Sequence, residues 1–330
     1  MTTVLELSIA DLAGTRIAAS PLSETVKAVL LLGRRDPPAV NRPWLDWART
    51  RLAEQPVRMP RLWPLVHNGL DTYPEFLAPA PAGQRPAIEE QLARLCATPE
   101  DAVRASLLRV FETGPWPDSA IALDRDPAGS LAEIAAELAE FHRRLIAPHW
   151  ERIQSVLDAD IAYRTGLLAR GGARALFGDM HPDLRWSDGL LTLDYNLDQD
   201  FRVQLGPDGV VLIPSVFNWP HVSTSLATSS QTTLIYPARG AATVWHILTD
   251  AHSPRLPAIS ELIGVTRTRL LDTLRSPATT SALARQLAVT PGAVSQHLAV
   301  LHRAGLLTRQ RSGRSVLYQV SELGLALLSQ

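Results

Sequence analysis

The clearest pattern of apolar and polar positions lies in the last seventy or so residues. In "SELIGVTRTRLLDTLRSP" Leu270, Leu271 and Leu274 recur at helical spacing, which predicts a helix opened by Ser260 and ended by Pro277. Thr280 stands as the cap of a second helix, "SALARQLAV", with Leu283, Ala284 and Leu287 turned inward. A short turn around Val289 follows. Thr290 then caps a third helix, with Pro291 at the first helical position, where its missing N–H costs nothing. Val294, Leu298 and Leu301, spaced by four and three, form the buried stripe, and Gly305 ends the helix by admitting left-handed backbone. "LLTRQRSGRSVLYQV" reads as two strands around Arg311, Ser312, Gly313 and Arg314.

The preceding part is mostly helical in pattern. A strand is predicted at Val4–Ile9 and a helix from Pro21, with Ser23, Glu24 and Thr25 in its first turn. "RPWLDWARTRLAEQP" puts Trp44, Trp47, Ala48 and Leu52 on one side of a helix that Pro56 stops. Two helices fit "RPAIEEQLARLCATPEDAVRASLLRVFETGP", the second announced by Thr98 as cap, Pro99 at the first position, and Glu100 and Asp101 near the positive helix end. Leu131, Ile134, Leu138, Phe141 and Leu145 mark a longer helix interrupted at Pro148. After Gly189 the period changes to two. A hairpin signal spans Leu205 to Val210, and another strand falls at Thr232–Tyr236. The expected fold class is mainly α with small β: a larger, mostly helical domain with a small antiparallel sheet (residues 1–250), a hinge (251–258), and the C-terminal helical module with its hairpin (259–330).

Charge separates the same two parts. From Arg255 onward nine arginines face Glu261, Asp272 and Glu322, a surplus of six, which leaves the residues before them at −7 of the whole chain's −1. A basic module on an acidic body is the charge pattern of a nucleic-acid binder with a regulatory domain. Lys27 is the sole lysine among 32 basic residues, and the Ala and Arg bias fits a GC-rich bacterial genome. Cys96 is the one cysteine, so an internal disulfide and a thiolate zinc site are excluded and a reducing cytoplasm is expected. The first fourteen residues lack a signal-peptide pattern, and no apolar run reaches membrane-spanning length, so no membrane partner is expected.

The third helix leaves Thr290, Gly292, Ala293, Ser295 and Gln296 outward at its N-terminal end. Small residues permit close approach to the major groove, and Ser and Gln can hydrogen-bond base edges. Arg309, Arg311 and Arg314 crowd the hairpin tip, where guanidinium groups can reach phosphates or a narrow minor groove. These eight are the candidate DNA-binding residues. "TRTRLLDTL", "ALARQLAVT", "AVSQHLAVLHRAGLL" and "RSGRSVLYQV" together resemble the winged helix-turn-helix of ArsR-type bacterial transcription regulators. The resemblance covers about 60 residues. It implies a homodimeric repressor or activator, a repressor being the expectation, on a pseudo-palindromic operator in double-stranded DNA, cytoplasmic at the nucleoid, with "TPGAVSQH" reading bases and the wing gripping the backbone. The family's metal sensors carry a Cys-x-Cys motif where this chain reads "SALARQLA", so no metal and no cofactor is expected.

The large domain carries no phosphate loop, no G-x-S-x-G and no H-E-x-x-H, and no catalytic residues are assigned. "GDMHPDLRWSDG" gathers Asp179, His181, Asp183 and Asp188, but a polar turn between helix and strand accounts for it more simply than acid–base or metal chemistry. His142 and His149 flank Pro148 and are expected at the surface or a helix end. All eight tryptophans lie before the basic module. They fit a pocket for a small-molecule effector, a dimerising core, or a surface for a protein partner. The alternative to a regulator is an enzyme or protein-interaction module with a fused winged helix.

Overall fold

A computed structural model describes the chain except residues 1, 7–8, 70–71, 113, 188, 195–200, 205–208, 226–230, 246–255, 275–277, 288–289, 313–314 and 330. It divides into two units, Met1–Asp36 with Arg51–Ala238, and Pro37–Thr50 with Arg239–Gln330. Residues 251–255 of the expected hinge lie outside the described residues, and 256–258 open a helix.

The first unit joins small sheets to a helical body. Its elements begin with β1 (Thr2–Glu6), α1 (Ile9–Gly14), β2 (Arg16–Ile17) and α2 (Pro21–Leu32). Helix α3 (Arg42–Glu54) is shared between the units at Thr50. There follow α4 (Leu62–Val66), α5 (Ile88–Cys96), α6 (Glu100–Val110), α7 (Asp118–Arg125), α8 (Pro127–Phe141) and α9 (Trp150–Gly178). The strands β3 (Leu184–Ser187), β4 (Leu190–Asp194), β5 (Phe201–Gln204), β6 (Val211–Ser215), β7 (Ser223–Ser225) and β8 (Thr233–Pro237) complete it. The mainly helical class with small sheets is observed. One sheet runs β3-β4-β1-β5 and another β2-β6-β8-β7. β1 pairs antiparallel with β4 and parallel with β5, which confirms a strand near Val4, although Ile9 already begins α1.

Two local expectations fail here. Residues 205–208 of the hairpin expected across Leu205–Val210 lie outside the described residues, and the strands on either side, β5 and β6, belong to different sheets. β6 lies parallel to both β2 and β8, and all five of its residues are buried. An unbroken apolar run such as "VVLI" marks a strand covered on both faces, which parallel neighbours provide. Thr98 does not cap α6. Its hydroxyl donates back to the Leu95 carbonyl at 2.8 Å, so it closes α5 instead.

Pro148 breaks the long helical stretch through a π turn, His142–Ile146, and a 3₁₀ turn, Ala147–His149. Proline has no N–H to give the carbonyl four residues back, and the widened turns absorb that loss. The break carries His142 and His149 inward, each 7% exposed, where a surface or helix-end place was expected. Burial pushes both imidazoles down to about 4. Glu24 on α2 is fully buried, and burial pushes its carboxyl up to about 7 against the opposing hydrogen bonds of Ser215, Val216 and Phe217.

These groups set a pH dependence. Both histidines are neutral in the fold and take up a proton on unfolding below about 6.5, so their contribution is lost as pH falls from there toward 4. Glu24 holds its proton in the fold up to about 7 and loses it on unfolding above about 4.5, so its contribution grows as pH falls through that window. Two protons oppose one, leaving a net loss of ~1.4 kcal/mol per pH unit across the overlap. Urea midpoints for the first unit should therefore drop from pH 6.5 to 4.5, and about twice as steeply in Glu24→Gln. Equal slopes in the two proteins would show that Glu24 does not hold a proton in the fold.

The second unit contains the start of α3, a 3₁₀ turn Ala241–Trp245, and the C-terminal elements. These are α10 (Leu256–Ile263), α11 (Val265–Thr273), β9 (Ala278–Thr279), α12 (Thr280–Gln286), α13 (Pro291–Arg303), β10 (Leu307–Ser312), β11 (Ser315–Val320) and α14 (Glu322–Ser329). Trp44 and Trp245 are both buried, with ring centroids 6.2 Å apart. The single helix expected from Ser260 to Pro277 is two helices, because Gly264, at φ +87°, turns the chain between α10 and α11. That backbone is costly for any residue with a Cβ.

Candidate nucleic-acid interface

The interface begins with the apolar stripe that fixes α13. Val294, Leu298 and Leu301 are at most 1% exposed and pack in one core with Leu270, Leu271, Leu274 and Leu283. Each inward anchor leaves the intervening positions of the first two turns facing out. Gly292, Ser295 and Gln296 are exposed and Ala293 is half-buried. A Cβ placed on Gly292 would meet nothing within 4 Å, so the glycine leaves room there rather than relieving a clash.

Thr290 is exposed and caps the helix as expected, its Oγ1 accepting from the Ala293 N–H at 3.2 Å. Pro291 occupies the first helical turn. The N–H groups of that turn give this end a partial positive charge that suits a phosphate. In α12 the cap is Thr279, not Thr280: Thr279 Oγ1 accepts from the Ala282 N–H at 3.2 Å, and Thr280 is the first helical residue. Thr279 also serves β9, which pairs with β11 at Leu317.

The two expected strands pair as a hairpin, with Leu307 opposite Val320 through Ser312 opposite Ser315. β9 adds a third strand, in the order β10-β11-β9. Arg309 lies in β10 opposite Tyr318 and is exposed. Arg311 stands opposite Val316 in the backbone pairing, its side chain outside the described residues, as is the whole of Arg314. Gly305, at φ +73°, ends α13 as expected.

The site is thus a helix with small and amide side chains exposed at its start, apolar anchors behind it, and a three-stranded sheet completed by the hairpin that follows. The sequence from 266 to 310 matches a model described as a helix-turn-helix domain. The C-terminal module is an ArsR/SmtB-type helix-turn-helix domain. Residues 101–242, ahead of it, match a family of unknown function, DUF5937. No curated protein and no solved structure matches the chain. The helix-turn-helix marks the chain as a DNA-binding regulator.

Helix α14, which closes this helix-turn-helix module, was not among the expected elements. Its signal was Ser321 ahead of "ELGLALL": Ser321 Oγ accepts from the Gly324 N–H at 3.1 Å and donates to the Gly305 carbonyl at 2.6 Å. Arg303, exposed in the last turn of α13, was also passed over.

In the DUF5937 part, His181 and Asp183 form a turn. His181 Nδ1 accepts from the Asp183 N–H at 3.1 Å, and its Nε2 lies 2.7 Å from the Pro220 carbonyl. Asp183 also approaches His221 Nδ1 at 3.3 Å, and Asp179 accepts from Tyr163 at 3.0 Å. Asp188 lies outside the described residues. Among the described residues no group of three or more His, Cys, Asp or Glu is placed to hold a metal ion, and no helix is long and apolar enough to cross a membrane.

Proposed function

We propose that this protein is a transcription repressor that binds a pseudo-palindromic operator in duplex DNA as a homodimer, in the cytoplasm at the nucleoid, and that a small molecule received by its N-terminal domain (1–250, joined through 251–258 to 259–330) controls it. The observation that carries the reading is the N-terminal end of α13, where Gly292, Ser295 and Gln296 are open to solvent while Val294, Leu298 and Leu301 hold the helix from behind. Thr290, Ala293, Arg309, Arg311 and Arg314 complete the DNA-facing set. The repressor role follows from the ArsR likeness. Exposed Leu262, Val265, Leu323 and Leu325, on α10, α11 and α14, supply apolar surface of the kind a second copy covers.

A footprint upstream of its own gene tests the reading, with affinity falling steeply as salt rises. Gln296→Ala should relax preference at one position per half-site, by ~1–3 kcal/mol against the wrong base. Arg309→Ala should weaken binding to all sequences alike and lower the salt slope by about one. Unaltered sequence preference in Gln296→Ala would remove it from the base-reading set. A protein that ignores DNA even at low salt would end the regulator reading.

A further inference from the structure

The first unit buries four polar side chains on one helix. Ser23, Glu24, Thr25 and Lys27 of α2 are each at most 8% exposed. Thr25 is settled by the Pro21 carbonyl at 2.7 Å and by His142 Nδ1 at 2.9 Å, and Glu24 accepts from the Val216 N–H at 3.1 Å. Lys27 is different. Its ammonium carries three N–H donors, and among the described residues one of them is used, on Ser223 Oγ at 2.9 Å. Ser223 in turn donates to Asn218 Oδ1 at 3.1 Å, and the Tyr73 ring lies 5.3 Å from the ammonium.

The charges do not balance either. Burial pushes Lys27 down to about 8; Glu24 opposes that shift, while the like charge of Arg34 reinforces it. Glu24, held near 7 by its own burial, is a weak counter-charge at neutral pH. Arg34 is exposed and donates to the Trp219 carbonyl at 3.4 Å, and Trp219 is itself 39% exposed. Among the described residues, two cations and spare donors thus gather at one edge of α2, beside the Tyr73 ring and the Trp219 backbone carbonyl, with Glu24 as the acid set against Lys27. The sequence points the same way. Lys27 is the only lysine of 32 basic residues. An ammonium is a compact point charge whose pKa shifts readily on burial, whereas a guanidinium keeps its charge.

We propose that Lys27 and Arg34 form the anion-recognition end of a binding site for a small aromatic carboxylate, with Ser223 and Asn218 orienting the ammonium and Trp219 and Tyr73 facing the ring. The carboxylate supplies the missing negative charge: one oxygen takes the spare Lys27 donors, and the Arg34 fork takes the other. This rests on the reading that the N-terminal domain receives a small molecule, and it names the chemistry of that molecule.

The single lysine gives a direct test. Full-length protein labelled with 15N at lysine Nζ has one such resonance, that of Lys27. Titration with sodium benzoate should move it along a saturating curve with a midpoint near ~1 mM, as expected for so small a ligand. Sodium chloride at matched ionic strength should not. Arg34→Gln, a change at an exposed position, should raise the benzoate midpoint about tenfold. A chloride response equal to the benzoate response, no response to benzoate, or an unchanged midpoint in Arg34→Gln would each overturn the site. Operator affinity measured in parallel separates the two readings. Benzoate that moves the resonance without changing operator affinity upholds the site and removes the effector role. A compound that releases the operator without moving the resonance does the reverse.

Discussion

Asp160→Ala is expected to destabilise the first unit by ~3–5 kcal/mol, the cost of removing one partner from a buried ion pair. Asp160 and Arg164, one turn apart on α9, are each 1% exposed, with Oδ1 and Nε 3.6 Å apart. The other Asp160 oxygen accepts from the Tyr236 hydroxyl at 2.7 Å, tying α9 to β8. Burial, and then the Asp160 charge, push the Tyr236 phenol well above its usual range, so it stays a donor. The Arg164 guanidinium also sits 5.3 Å from the Tyr236 ring and 5.7 Å from that of Tyr163. Without Asp160, the carboxylate left to the buried cation among the described residues is the partly exposed Asp179 at 3.4 Å, and the Tyr236 hydroxyl loses its carboxylate acceptor. Asp160→Asn retains an acceptor and should cost less. Asp160→Ala with Arg164→Met should recover part of the loss, because no unpaired charge remains. Urea denaturation of the four proteins reads this out. A double variant no more stable than Asp160→Ala would show that packing, rather than the stranded charge, sets the cost.

Leu298→Ala should cost the helix-turn-helix ~2–5 kcal/mol, since a fully buried leucine is removed and its neighbours close only part of the space. Leu298 touches no DNA in the proposed mode. Its loss should nonetheless reduce operator affinity, because it and Val294 hold the outward residues of α13 in position. Thermal melting and fluorescence anisotropy on one sample distinguish this from Gln296→Ala, which should melt like the parent and differ only in sequence preference. If Leu298→Ala lowers the melting temperature but binds DNA as tightly as the parent below it, α13 is not the helix that reads the operator.

The legibility of these features follows from how local their causes are. The stripe Val294–Leu298–Leu301, the Thr290 cap and the Gly305 stop each depend on a few consecutive residues, and all three appear where the spacing put them. Gly264 could have been read as a break between α10 and α11, but the leucine spacing on either side hid it. The sheets were harder, because pairing is settled by distant segments. The neighbours of β6 are β2, nearly 200 residues earlier, and β8, while β5 pairs with β1. A glycine-rich turn is compatible with a hairpin, but it cannot say whether a better partner arrives from elsewhere. The cluster around Lys27 was the least visible. Lys27 and Ser223 are 196 positions apart, and the amphipathic rule places Ser, Glu, Thr and Lys of a helix in water. The one hint in the sequence was that lysine had survived at a single position.

The placement of β1 has a consequence for synthesis. Residues 2–6 leave the ribosome well before their partners, residues 190–194 and 201–204. At ~5–20 residues per second, roughly 10–40 s pass before either partner exists. Until then neither long edge of that segment can find its native neighbour. Translation speed and chaperone access between residues 6 and 190 therefore bear on how much of this protein reaches its native state.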